Sequence, residues 1–159
     1  MSIARQGDTI NNVRINSSKG RTTGASKSIT KVAGKSLKKG TYYKLIVVAL
    51  DANNNVVSTS KVAHVATAGG KVKNPSKVTV KSSIVKKAKK LKKGKSLRLK
   101  AKQVGKNVKK RRAVSYESTD TKIATVSKKG VIKAKAKGTC YVYAYAQNGK
   151  CKKIKVRVK

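Results

Sequence analysis

Apolar residues in this chain fall in short runs broken by glycine, asparagine, serine and lysine, and no segment sustains a helical repeat. Residues 28–32, 42–50 and 56–67 read as strands, with Asn53, Asn54 and Asn55 turning the chain between the last two. Glycine 69, glycine 70 and the only proline, Pro75, then cluster between patterned segments. Such a cluster marks a linker, placed at 70–76, and with it a boundary between a part at 1–69 and a part at 77–159. Beyond it come seven strand-sized pieces, at 78–80, 96–103, 113–117, 123–126, 131–134, 140–146 and 152–158. That number and spacing predict an antiparallel sandwich. The lysine run 86–95, KKAKKLKKGK, reads as a solvated loop, because Gly94 interrupts it and no apolar stripe runs through it. Residues 1–27 are polar and weakly patterned, with a strand suggested only at 10–15, and are expected to be poorly ordered or an edge.

The last hairpin fixes its own register. In 140–146 the alternation puts Cys140, Val142, Ala144 and Ala146 on one face and Tyr141, Tyr143 and Tyr145 on the other. In 152–158 it puts Ile154, Val156 and Val158 opposite Lys153, Lys155 and Arg157. A two-residue Asn-Gly turn would pair Val142 with Lys155 and mix the faces. A three-residue loop, Gln147-Asn148-Gly149 with Gly149 left-handed, pairs Val142 with Ile154 and keeps them apart. In that register Cys140 faces inward and Cys151 outward, so the two cannot bridge and both are expected as free thiols. Two cysteines and one distant histidine do not make a zinc site.

Composition changes the picture mainly through charge. The 159 residues carry 42 Lys and Arg against 4 Asp and Glu, a net +38. Residues 1–69 hold 11 basic and 2 acidic residues, and residues 70–159 hold 31 and 2. Such a field draws any polyanion in a salt-sensitive way without naming one. Lysine outnumbers arginine heavily, which suits diffuse attraction better than bidentate reading of bases. No run approaches the roughly 18 apolar residues of a membrane helix, so no membrane insertion is expected, and no secretory signal is visible in the first twenty residues. With no Trp and no Phe, any core is built from Val, Ile, Leu, Ala and Tyr.

Several of these segments resemble a known family. Tyr116-Glu117-Ser118-Thr119-Asp120-Thr121-Lys122-Ile123-Ala124-Thr125-Val126, then Gly130-Val131-Ile132-Lys133-Ala134 and Gly138-Thr139-Cys140-Tyr141-Val142, resemble successive motifs of the group 2 bacterial immunoglobulin-like domain. Leu91-Lys92-Lys93-Gly94-Lys95-Ser96-Leu97 resembles the approach to that family's second strand. Tyr116 stands where the family usually has Trp. The resemblance implies a sandwich over about 77–159, with Val114, Tyr116, Val126, Ile132, Val142 and Ile154 on its inner faces. Leu37-Lys38-Lys39-Gly40-Thr41-Tyr42-Tyr43 resembles a segment of fibronectin type III domains, which implies a partial sandwich over 28–69 in which Tyr43 is a corner tyrosine bonded to nearby backbone. The fold class expected is therefore all-β, two tandem immunoglobulin-like sandwiches with the first incomplete. Both resemblances imply an extracellular, surface or wall-associated bacterial protein of Gram-positive type.

Catalysis finds little support. Asp8, Asp51, Glu117 and Asp120 are the only carboxylates and His64 the only imidazole, so an acid–base pair would need distant segments to converge. Asp120 reads as a turn cap and His64 as an outward strand residue. Gly34-Lys35-Ser36 and Gly94-Lys95-Ser96 match only the tail of a phosphate loop. No enzyme, cofactor or metal is expected. The strip of Tyr141, Tyr143 and Tyr145 beside Lys153, Lys155 and Arg157 is the candidate binding face, where rings either stack on sugars or bases or cover lysine stems and strengthen cross-strand pairs. The expected function is a structural or adhesive module held to anionic wall polymer or acidic glycan by lysines. The alternatives are a nonspecific nucleic-acid binder and an accessory piece of a larger secreted enzyme.

Overall fold

The computed structural model describes residues 29–32, 35–53, 55–109 and 112–159, and the backbone of 9–10 and 13–14. The disorder expected over 1–27 therefore lies outside the described residues, save for a pairing of β1 (Thr9–Ile10) with β2 (Val13–Arg14). Contacts divide the chain into two units, Met1–Gly70 and Lys71–Lys159.

The first unit continues with β3 (Lys31–Val32) and β4 (Lys35–Ser36), then β5 (Tyr42–Leu45), β6 (Val48–Leu50), β7 (Val56–Thr59) and β8 (Ala63–Ala66). Strand β5 pairs with β8 and β6 with β7, all antiparallel, so the two runs expected at 42–50 and 56–67 form one long hairpin. Between the two pairings the Ser60 N–H donates to the Val47 carbonyl and the Val47 N–H to the Ser60 hydroxyl. Asp51 closes the end of the hairpin. The carboxylate accepts from the Asn53 and Asn55 N–H groups at 2.9 and 2.8 Å, and these bonds, Asn55 first, hold its pKa below the ordinary value. The Tyr43 hydroxyl accepts from the Lys38 N–H at 3.0 Å. The described strands of this unit form separate two-stranded sheets.

The second unit holds β9 (Lys77–Thr79), α1 (Ser82–Ala88), β10 (Ser96–Arg98), β11 (Lys102–Val104), β12 (Ser115–Ser118), β13 (Ala124–Val126), β14 (Val131–Ala134), β15 (Gly138–Tyr145) and β16 (Cys151–Val158). One sheet runs β12-β15-β16, a second β10-β14-β13, and β9 pairs with β11. The alternating residues of these strands meet in one core. Leu99, Ile132, Val142, Ile154 and Val156 are fully buried there, joined by Val78, Ala88, Leu91, Cys140 and Val158. Each of the leucine, isoleucine and valine side chains withdrawn from water contributes on the order of 1.5–3 kcal/mol before entropy is counted. Val114, Tyr116 and Val126 line the margin of this core, half-buried.

Three details differ from the sequence expectation. The single strand expected at 96–103 is two, because Lys100 takes a left-handed backbone (φ 49°) that lets β10 join β14 while β11 joins β9. The loop expected at 86–95 begins inside a helix. The missed apolar stripe is Ile84, Ala88 and Leu91, spaced i, i+4, i+7; it starts before the lysine run, and Ala88 and Leu91 face the core. Lys86 and Lys87 sit in the last turn, where positive charge suits the helix dipole. The proline end of the glycine-proline stretch packs into this unit: Pro75 is buried, the Lys73 and Ser76 N–H groups donate to the Asn107 and Val104 carbonyls, and Asn148 Nδ2 donates to the Pro75 carbonyl.

Candidate binding face

The tyrosine strip is built by the longest ladder among the described residues. Strands β15 and β16 pair along eight residues, with Val142 opposite Ile154, Cys140 opposite Val156 and Tyr145 opposite Cys151, the register that separation of faces demands. The Ala146 N–H donates to the Lys150 carbonyl and Gly149 takes φ 86°, so Gln147, Asn148 and Gly149 form the loop. Cys140 is buried and Cys151 exposed, both as free thiols. Burial pushes the Cys140 thiol pKa up, so it behaves as a small core residue.

On the outer face the rings are half-buried rather than fully exposed. Tyr143 and Tyr145 stack with centroids 5.9 Å apart and planes 20° apart. The Lys153 ammonium lies 3.9 Å from the centre of the Tyr141 ring and 5.9 Å from that of Tyr143. Lys155 stands directly opposite Tyr141 in the ladder, so the lysine that covers the ring is its diagonal neighbour. Arg157 sits two pairs further along, opposite Thr139. On the other flank β12 places Glu117 opposite Tyr143. Burial, followed by the Glu117 charge and its hydrogen bond, pushes the Tyr145 hydroxyl up to about 12. The rings thus already engage one another, Lys153 and Glu117. A ligand stacking on Tyr141 would first have to displace the Lys153 ammonium.

The inner side of the same sheet carries Tyr116, which packs at the edge of the core over Gly130. A Cβ at Gly130 would lie 2.5 Å from the ring's Cζ, so glycine there is what lets the ring sit down. Burial raises the Tyr116 pKa, against a hydrogen bond with the Ala101 backbone that lowers it. In the turn after β12, Asp120 Oδ1 accepts from the Lys122 and Ile123 N–H groups at 2.8 and 3.3 Å, which makes it a cap. His64 lies half-buried in β8 opposite Lys44.

Sequence reasoning missed two features. Gln103 and Gln147, both buried, tie β11 to the last loop: the Gln147 N–H donates to Gln103 Oε1 at 3.0 Å, and Gln103 Nε2 donates to the Arg112 carbonyl. The partners are 44 residues apart in sequence, and no local pattern announces them. The second is an open concavity of about 580 Å³ bordered by lysines of α1, the following turn and the start of β10. The KKAKKLKKGK run was the visible sign of it.

Among the described residues no group of three or more His, Cys, Asp or Glu could hold a metal ion, and no helix is long and apolar enough to cross a membrane. No curated protein matches the chain. The family model described as bacterial Ig-like domain (group 2) matches residues 77–156, the stretch that folds as the closed sandwich, and the chain belongs to that family.

Proposed function

We propose that this chain is a surface module retained on anionic cell-wall polymer by its lysines. Group 2 bacterial Ig-like domains are non-catalytic, structural or adhesive modules of extracellular or surface-exposed bacterial proteins. The observation that carries the finer reading is the fate of the acids. Residues 71–159 contain only Glu117 and Asp120 as side-chain carboxylates, and both are engaged locally, one with Tyr145 and the other with two backbone amides. The positive field of the sandwich therefore goes unneutralised by the protein itself, which favours a polyanionic partner.

The test is binding of the whole chain to purified Gram-positive walls, with and without their teichoic acid, and to DNA, across a salt series passing physiological ionic strength. Retention on intact walls that outlasts retention on DNA, and that drops when teichoic acid is stripped, supports the reading. Simultaneous loss from walls and DNA makes the charge nonspecific and the module a spacer. Preference for one nucleic-acid sequence at physiological salt would move the protein to the nucleic-acid class instead.

A further inference from the structure

We infer that the lysine-lined concavity at the α1 and β10 end of the sandwich is the docking site for a flexible phosphodiester polymer, and that the tyrosine strip is not. This deepens the proposed function and depends on it. Five exposed lysines, Lys86, Lys87, Lys90, Lys92 and Lys95, surround the concavity. Leu91, Leu97 and Ser96 complete its lining. Of the two side-chain carboxylates of this unit, Glu117 lies on β12, in the other three-stranded sheet, and Asp120 in the turn between β12 and β13, and neither lines the concavity. Like charges gathered in one hollow oppose folding, and an anionic ligand relieves that opposition.

The lysines are held by a rigid frame. The Leu91 N–H donates to the Arg157 carbonyl and the Lys159 N–H to the Leu91 carbonyl, which fastens the turn to the end of β16. The Lys93 N–H donates to the Lys159 carbonyl, and Gly94 and Lys95 exchange backbone bonds with Ala134 of β14. Leu91 is itself buried, so the turn is anchored by packing as well as by hydrogen bonds. Ammonium groups carried on a fixed turn lose less freedom on binding than those of a free tail.

The chemistry of the lining selects among polyanions. Arginine, whose planar fork grips carboxylates and phosphates alike through two parallel bonds, is missing from it, so the lining offers point charges only. Lysine is a point charge that a tetrahedral phosphate can approach from many directions. Aromatic rings are also missing, so nucleic-acid bases would have nothing to stack on. A thin polymer carrying its charge on a phosphodiester backbone, without bases, fits these features best.

The experiment compares three whole-chain proteins: wild type, a groove variant (Lys86→Gln, Lys90→Gln, Lys92→Gln) and a control of equal charge (Lys106→Gln, Lys128→Gln, Lys129→Gln). Affinity for poly(glycerol phosphate) is measured by titration across a salt series, with single-stranded DNA of equal phosphate number as a second arm. All six positions are exposed, and circular dichroism verifies the fold. The groove variant should bind on the order of a hundredfold more weakly, from a roughly fivefold loss per lysine beside a polyanion, whereas the control should lose less than about fivefold. The salt slope of the groove variant should fall by about 2, and its Tm without polymer should rise above that of wild type. Equal losses in the two variants would overturn the groove while leaving wall retention standing. Release of wild type below physiological salt would overturn both. DNA binding tenfold tighter than the polyol phosphate would assign the groove to nucleic acid.

Discussion

The two units are composed of the same short alternating segments, yet their described residues bury very different amounts. In the second, Leu99, Ile132, Val142, Ile154 and Val156 are fully enclosed. In the first, Ala66 alone among the described residues is buried, while Val47 and Val57 remain 71% and 64% exposed and Ile29, Val32 and Leu45 are also open. Strand pairing explains the contrast. Strand β15 is eight residues long and is paired on both edges, so its inner face is held against a second sheet. The described strands of the first unit are two to four residues long and pair with one partner each. A two-stranded ribbon encloses nothing and is marginal by itself in water. Alternation is therefore necessary for a core and not sufficient; what completes it is a second layer.

Substitutions should expose that contrast most strongly at the core. Ile154→Ala removes a side chain with no exposed surface and should cost about 3–4 kcal/mol in denaturant unfolding followed by the tyrosine signal, most of whose rings lie in the second unit. Gly130→Ala comes next. It places a methyl group against Tyr116 at a position with φ 73° and should cost about 2–4 kcal/mol. Gly149 has a similar backbone, φ 86°, but open space around it, so Gly149→Ala should cost only about 1–2 kcal/mol. The difference between the two glycines measures the Tyr116 contact alone.

A smaller effect should appear with pH. The folded pKa of Tyr145, about 12, lies above the ordinary 10.0, so its contribution is fully present below about pH 10 and is lost as pH rises through about 12. Glu117→Gln should leave the burial effect and remove the charge effect, moving the last-titrating tyrosine downward in an absorbance titration. In the first unit Val47→Ala should change stability by less than about 0.5 kcal/mol. A cost near that of Ile154→Ala would mean that this valine is covered in solution.

Much of the second unit was legible because its information is local. The face-by-face alternation of 140–146 and 152–158 admits one register, and the two cysteines follow from it. The motifs around Tyr116, Gly130 and Gly138 lie within the stretch that the family model matches. The helix escaped because its core-facing residues Ile84 and Ala88, with Leu91 just beyond its end, are half hidden in lysines. Alternation gathers the three tyrosines on one face of the strand, but it cannot say that a diagonal lysine would cover Tyr141. The concavity depends on how a turn is tied to β14 and β16, which composition does not express. In the first part, the fibronectin type III likeness at 28–69 lies outside the matched residues 77–156, and short strands with exposed valines are what the structure places there.

Hydrogen exchange of the whole chain, resolved by residue and run with and without poly(glycerol phosphate), addresses the central claim: a closed sandwich presents a fixed lysine site to a phosphodiester polymer. The slowest amides should be those of Val142, Ile154 and Val156, with the first-unit strands exchanging far faster. Polymer should slow exchange further within 86–97 and leave 141–145 unchanged. First-unit strands as slow as Ile154, or protection gained at 141–145 or evenly over the surface, would contradict the account.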